Sequence, residues 1–260
     1  MFDIEKSIQA FEDFVKKYDM SNDMISLKYY HTFRVVEQSL NICKSLNLSE
    51  EDTNIAFLIA LLHDIGRFEQ GKRFGTFIDS KSMDHGEFGC KLLFEEGLIR
   101  KFIEDDKYDE IIRKAIYYHN KFAIEEDLSE RELLHSKIIR DADKIDIIHN
   151  VVNLGHIKLN DDDSEISDEV KEDFLSERSV HYSHKRTKND SVMTMLGFVF
   201  DLNFEYSYRY FKDNDFINKM FSNLKNKDIF EEYVNRLNEY IEGKCNDVRD
   251  KVLSQKYRKW

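Results

Sequence analysis

The sequence predicts an all-α protein. It has no proline and nine glycines in 260 residues, so the punctuation that ends helices and shapes turns and strands is scarce. Apolar residues recur at intervals of three and four in one segment after another, the spacing of a single helix face. At 41% hydrophobic and 35% charged residues the composition is globular, and the length suffices for one large domain with a substantial core.

The elements follow in order. Ile4, Ile8, Phe11, Phe14 and Val15 form the stripe of a first helix ending near Tyr18. A second helix is expected from about Leu27 to Leu46, with Tyr30, Phe33, Val36, Leu40 and Cys43 on one face and His31 in its first turns. Ser49 with Asp52 three residues on resembles a capping box and opens a third helix. That helix carries the apolar run from Ile55 to Leu62, ends in His63 and Asp64, and is expected to stop at Gly66. Arg67 to Met83 shows no period and reads as a loop over a site. Asp84 with Glu87 caps a helix that begins at His85 and runs to about Glu96. Asp106 to Asn120 predicts a helix with Ile111, Ile112, Ala115 and Ile116 inside and His119 at its C-terminal end. Ser129 and Glu132 open another, which holds Ile138, Ile139, Asp141, Ala142, Asp143, Ile145 and Asp146.

Past residue 150 an acidic run, Asp161 to Asp173, precedes a basic cluster of His181, His184, Lys185, Arg186 and Lys188. Charge runs of this kind read as solvated faces, and the basic cluster is a candidate lid. Helices rich in Phe and Tyr are expected from Ser191 onward, the last from about Asp228 to Tyr257. Without repeats or low-complexity linkers, residues 1–260 read as a single domain, its core at about 25–150 and a C-terminal helical layer at about 165–260.

A net charge of −12 excludes a protein whose main task is gripping a nucleic-acid duplex, since that affinity comes from neutralising phosphates. Cys43, Cys90 and Cys245 are odd in number and widely spaced, so reduced thiols are expected. Nothing resembles a signal peptide, and no apolar run approaches the roughly 20 residues that span a bilayer. A cytoplasmic protein without membrane partners is the expectation, and the oligomeric state is not legible.

The chemistry centres on His63 and Asp64. Two strong metal ligands closing an apolar helix are costly unless something binds them. Imidazole and carboxylate without thiolate spacing favour Mn, Fe, Ni, Co or Zn, with Mg also expected to serve. His31, His63, Asp64 and Asp143, from separate helices, can hold one divalent ion and leave positions open for water and substrate. His85 and His119 can hold a second ion, bridged by Asp64. The other histidines, His135, His149, His156, His181 and His184, read as capping or surface residues.

His31, His63-Asp64 and Asp143, with LLHDIGRF around the doublet, DHGEFG around His85 and RDADKIDI around Asp143, resemble the signature of the HD-domain superfamily of metal-dependent phosphohydrolases over roughly residues 25 to 150. The resemblance implies an all-α helical bundle, one or two divalent ions, and hydrolysis of a small phosphorylated metabolite or nucleotide through metal-activated water. It selects Asp143 over Asp141, with Asp146 a supporting acid. His85 and His119 look like the extra ligands of bimetallic members such as the HD-GYP phosphodiesterases, although no GYP motif follows. Asp64 and His63 are then catalytic ligands, Arg67 a catalytic and substrate-binding residue, and Lys144 a second phosphate contact. Two other readings use the same residues: a mixed-valence di-iron oxygenase on the HD scaffold, and a nucleotide-sensing module without turnover.

Overall fold

The computed structural model describes residues 3–124 and 127–246. Every regular element among them is helical, and none of these helices is long and apolar enough to cross a membrane. The chain divides into two compact units, one through Asp143 and one from Lys144 onward. The boundary therefore falls inside a continuous helix.

In the first unit α1, Ile4–Val15, is capped by the Asp3 carboxylate. Helix α2, Asp23–Leu46, starts four residues earlier than the periodicity suggests, because Asn22 accepts from Met24 N as its cap. His31 thus stands in its third turn. The buried face is Ile25, Thr32, Val35, Val36, Ser39, Ile42, Cys43 and Leu46, rotated from the expected one, and Tyr30 is 59% exposed. Helix α3, Glu50–Leu62, is capped by Ser49 as expected, and every residue from Ile55 to Leu62 is buried. A helix apolar all round sits at the centre of its unit.

Gly66 does not end a helix: after His63 and Asp64 the chain re-enters helix α4, Ile65–Phe74, which ends at Gly75 with φ 63°. The first half of the presumed loop is therefore helix. Phe68 holds α4 down, packed against Phe11, Phe14 and Tyr18 with ring centroids 5.8, 6.0 and 5.6 Å away. Gly66 serves close packing instead, since a Cβ there would lie 2.5 Å from His85 O and 2.8 Å from Gly89 N. Helix α5, His85–Cys90, is capped by Asp84 and continues as a π turn over Lys91–Glu95. Helix α6 is Asp109–Tyr118, and α7 is Glu130–His149. The Ser129 and Glu132 side chains cap α7 reciprocally, with bonds of 3.3 and 2.7 Å.

His135, read as a surface or capping residue, is 1% exposed. Its Nε2 stands 3.2 Å from Asp52 Oδ1, which also accepts from Arg131 Nε at 2.7 Å. This cluster ties the start of α3 to α7 across a long sequence separation, which local pattern cannot reveal. The three cysteines are free and buried.

The second unit comprises α8, Asp168–Leu175; α9, Lys188–Leu196; α10, Glu205–Asp213; α11, Phe216–Ser222; and α12, Lys227–Asn246. The part of the last expected helix up to Tyr257 lies outside the described residues. Phe174, Met193, Leu196, Phe211, Phe216, Met220, Phe230 and Leu237 build its core. The acidic run is not simply a solvated face. Asp161, 6% exposed, accepts from Lys225 N and Asn226 N at 2.9 and 2.8 Å. Asp173 accepts from His181 N and His184 Nδ1 at 3.1 and 2.6 Å. Arg186 pairs with Glu169 at 2.8 Å and Lys188 with Asp162 at 3.5 Å. His184, Arg186 and Lys188 are thus paired with acids of the preceding run, which weighs against a free lid.

Candidate metal centre

The ends of helices place the ligands. The last carbonyls of a helix lack N–H partners, and at α3 and α6 the next residue is a histidine whose ring supplies one. His63 Nδ1 donates to Ala60 O at 2.7 Å, and His119 Nδ1 donates to Ile116 O at 2.6 Å. His85, the first residue of α5, donates from Nδ1 to Asp79 Oδ2 at 2.6 Å. In all three rings the proton is on Nδ1, so the Nε2 lone pair points inward.

Those lone pairs converge on Asp64. Its Oδ2 lies 3.4 Å from His31 Nε2 and 3.5 Å from His63 Nε2. Its Oδ1 lies 3.6 Å from His85 Nε2 and 3.8 Å from His119 Nε2. Asp143 Oδ1 stands on the first side, 3.1 Å from His31 and 3.8 Å from His63. The two rings of each pair are also close, 3.3 Å between His31 and His63 and 3.0 Å between His85 and His119. Two triads, His31 with His63 and Asp64, and Asp64 with His85 and His119, each have their ligand atoms within 4.8 Å of one another.

His85 Nε2 facing His119 Nε2 at 3.0 Å is a contact between two acceptors with no proton between them. It is repulsive unless a cation sits among them. Atoms that bind a common ion at about 2.0–2.1 Å lie about 3.0–3.4 Å from each other, close to the spacing seen here. The donor set therefore fits divalent metal on both sides of Asp64.

The electrostatics agree. Burial, helped by the charges of His85 and His63, pushes His119 down to about 3. Burial also lowers His85, against the opposing pull of Asp79. Burial alone would raise Asp64 and Asp143, but Lys28 with His63 and His31 at Asp64, and His31 with His63 at Asp143, outweigh it and hold both carboxyls well below the usual range. Neutral imidazoles and ionised carboxylates are the states that bind metal.

His85, His119 and His135 are all held below 6.5 by burial. Unfolded, each titrates near 6.5, so below that pH the unfolded chain binds more protons than the folded one. The stability they contribute is present above about pH 6.5 and is lost as the pH falls toward their folded values. For His119, folded near 3, the loss between about pH 7.5 and pH 5 is about 2 kcal/mol. Urea titrations of chelator-treated protein at the two pH values are expected to show a lower midpoint in acid; equal midpoints contradict this.

Sequence reasoning missed three residues at the centre. Lys28, one turn before His31 on α2, places Nζ 2.5 Å from Asp64 Oδ2; its i, i+3 spacing from His31 was the available signal. Asp79 and Gln70 carried no such signal. Arg67 Nη1 bonds to Gln70 Oε1, Phe77 O and Asp79 Oδ1 at 2.7, 2.6 and 2.7 Å. Gln70, fully buried, donates to Asp79, Ser82 and Met83. Together they fasten the segment after α4 and hold the Asp79 carboxylate against His85. Arg67 also reaches the centre, with Nη2 3.4 Å from His85 Nε2 and Nε 3.7 Å from Asp64 Oδ1. Lys144 pairs with Asp201 at 2.6 Å. Arg140, 2% exposed, donates to Tyr118 O and Lys121 O, both at 2.6 Å, and so steadies the chain around His119.

A carboxylate behind a ligating imidazole fixes its orientation, and its loss typically weakens metal binding about 10- to 100-fold. Asp79→Asn is expected to weaken the ion at His85 and His119 by that factor while sparing the one at His31 and His63. Competitive chelator titration resolves two classes of ion; equal weakening of both contradicts the assignment.

A helical unit that buries four imidazoles around shared carboxylates defines an all-α class with a cluster able to hold metal. Within that class the family model of the HD domain matches residues 29–148, a span that includes all six ligand candidates, and this segment is an HD domain. HD domains bind divalent metals and define a superfamily of metal-dependent hydrolase type. No curated protein matches the chain, and no solved structure does.

Proposed function

We propose that this protein is a metal-dependent phosphohydrolase, a phosphomonoesterase or phosphodiesterase acting on a small phosphorylated metabolite or nucleotide. The observation that supports it is Asp64, whose two oxygens face two separate histidine pairs. His31, His63, Asp143 and Asp64 Oδ2 would hold one ion, and His85, His119 and Asp64 Oδ1 the other. Divalent ions held there supply Lewis-acid polarisation of a phosphoryl group and lower the pKa of attacking water.

The chain's own residues set the rest. The side chains of His31, His63, Asp64, His85 and His119 are at most 8% exposed, whereas Asp143, Lys28 and Arg67 are 14, 16 and 13% exposed. Three side chains next to the ligands, two of them cationic, thus keep some contact with solvent, and an anionic substrate would meet the centre there. Only two carboxylates, Asp64 and Asp143, join the four imidazoles, so with divalent ions bound the centre carries net positive charge and favours a phosphoryl dianion. Arg67 adds a fixed positive charge beside Asp64 Oδ1 and His85.

Turnover of a panel of phosphomonoesters and phosphodiesters with Mn, Co, Ni or Mg tests the reading. Hydrolysis that chelation removes and added metal restores is the expected result. Metal-loaded protein that leaves the panel untouched contradicts it, the more so if iron-loaded protein consumes oxygen.

A further inference from the structure

Lys28 is the cation nearest the centre, and nothing in the metal chemistry requires it. It stands one residue before the segment matched by the HD model and offers no metal ligand while protonated. An ammonium has three donors, yet Asp64 Oδ2 is the one side-chain partner Lys28 has among the described residues. At 16% side-chain exposure, the ammonium is largely withdrawn from bulk water, and its two remaining donors have no side-chain partner among the described residues.

Arg67 makes the contrast. Its Nη1 is engaged by Gln70, Phe77 and Asp79, so one end of that guanidinium is tied to holding the chain. Lys28 has no such duty. An ammonium and a divalent ion drawn to the same carboxylate oxygen repel one another. An anion touching both removes that conflict and gives the free donors acceptors.

We propose that Lys28 binds the phosphoryl group of the substrate, and the phosphate product, on the Asp64 Oδ2 side of the centre. This assignment rests on the phosphohydrolase reading. It makes Lys28 a substrate-contacting residue, distinct from the metal ligands and from the positioning pair Arg67 and Asp79. Charge-assisted bonds of this kind correspond to roughly a 10- to 100-fold effect on anion affinity.

The test compares wild type, Lys28→Gln and Lys28→Arg as full-length, metal-loaded proteins. Metal content, hydrolysis of an aryl phosphate and inhibition by inorganic phosphate are measured for each. Lys28→Gln is expected to keep its metal, to need roughly 10- to 100-fold more phosphate for half inhibition, and to lose kcat/KM; Lys28→Arg is expected to recover part of both. In wild type, phosphate is expected to protect Lys28 from acylation, as mapped by mass spectrometry, which tests the contact even if a variant folds poorly. Unchanged phosphate inhibition in Lys28→Gln, loss of metal from that variant, or acylation indifferent to phosphate overturns the assignment while leaving the phosphohydrolase reading intact. Wild type that neither turns over the ester nor binds phosphate sinks both.

Discussion

Asp64→Ala is expected to empty both sides of the centre at once and to lower turnover by on the order of a thousandfold or more. The reason is geometric. Asp64 Oδ2 faces His31 and His63 while Oδ1 faces His85 and His119, so one side chain supplies an oxygen to each group. Removing it leaves two imidazoles on one side and two with Asp143 on the other, and withdraws the negative charge that offsets two cations. Elemental analysis after dialysis, with kcat measured in parallel, reads the effect. Asp64→Asn, which keeps the shape and loses the charge, is expected to behave nearly as badly. An alanine variant that keeps one tightly bound ion would mean the carboxylate serves a single side.

The second large effect is expected from a residue that touches no ligand atom of the centre. Gly66→Ala would put a methyl 2.5 Å from His85 O and 2.8 Å from Gly89 N. Both neighbours are backbone, so no side chain can swing aside and α4 must separate from α5. Overpacking of this kind costs about 1–3 kcal/mol, with the upper end expected where backbone must move. The separation also carries His85 away from His119 and Asp64, so weaker binding of one ion is expected along with the lower stability. Urea unfolding and metal content on the same sample check both. A variant with the wild-type midpoint would show that the two helices approach less closely than described.

Local signals were legible in the sequence and tertiary ones were not. Ser49, Asp84 and Ser129 each cap the helix that follows, because capping depends on residues three apart. His31, His63, Asp64, His85, His119 and Asp143 lie at one centre in the structure, and their order and contexts made the set visible. Gly66 was misread as a stop because a glycine after a helix looks the same whether it ends the helix or admits a neighbouring backbone. Helix α4 was missed since past Ile65 only Phe68 anchors it among polar residues and glycines, and the aromatic partners of Phe68 are distant in sequence, Phe11 and Phe14 on α1 and Tyr18 just after it. His135 and Asp52, like Asp161 with the start of α12, are buried through pairings more than sixty residues apart. Asp79 illustrates the limit best: its place behind His85 depends on Gln70 and Arg67 folding the intervening chain, and no spacing announces it.

The proposed bridging of two ions by Asp64 is tested most directly by anomalous scattering from Mn-loaded crystals. The account predicts two peaks, about 3.5–4 Å apart, one bounded by His31, His63 and Asp143 and the other by His85 and His119, with an Asp64 oxygen on each. A single peak with His85 and His119 outside its coordination would contradict it.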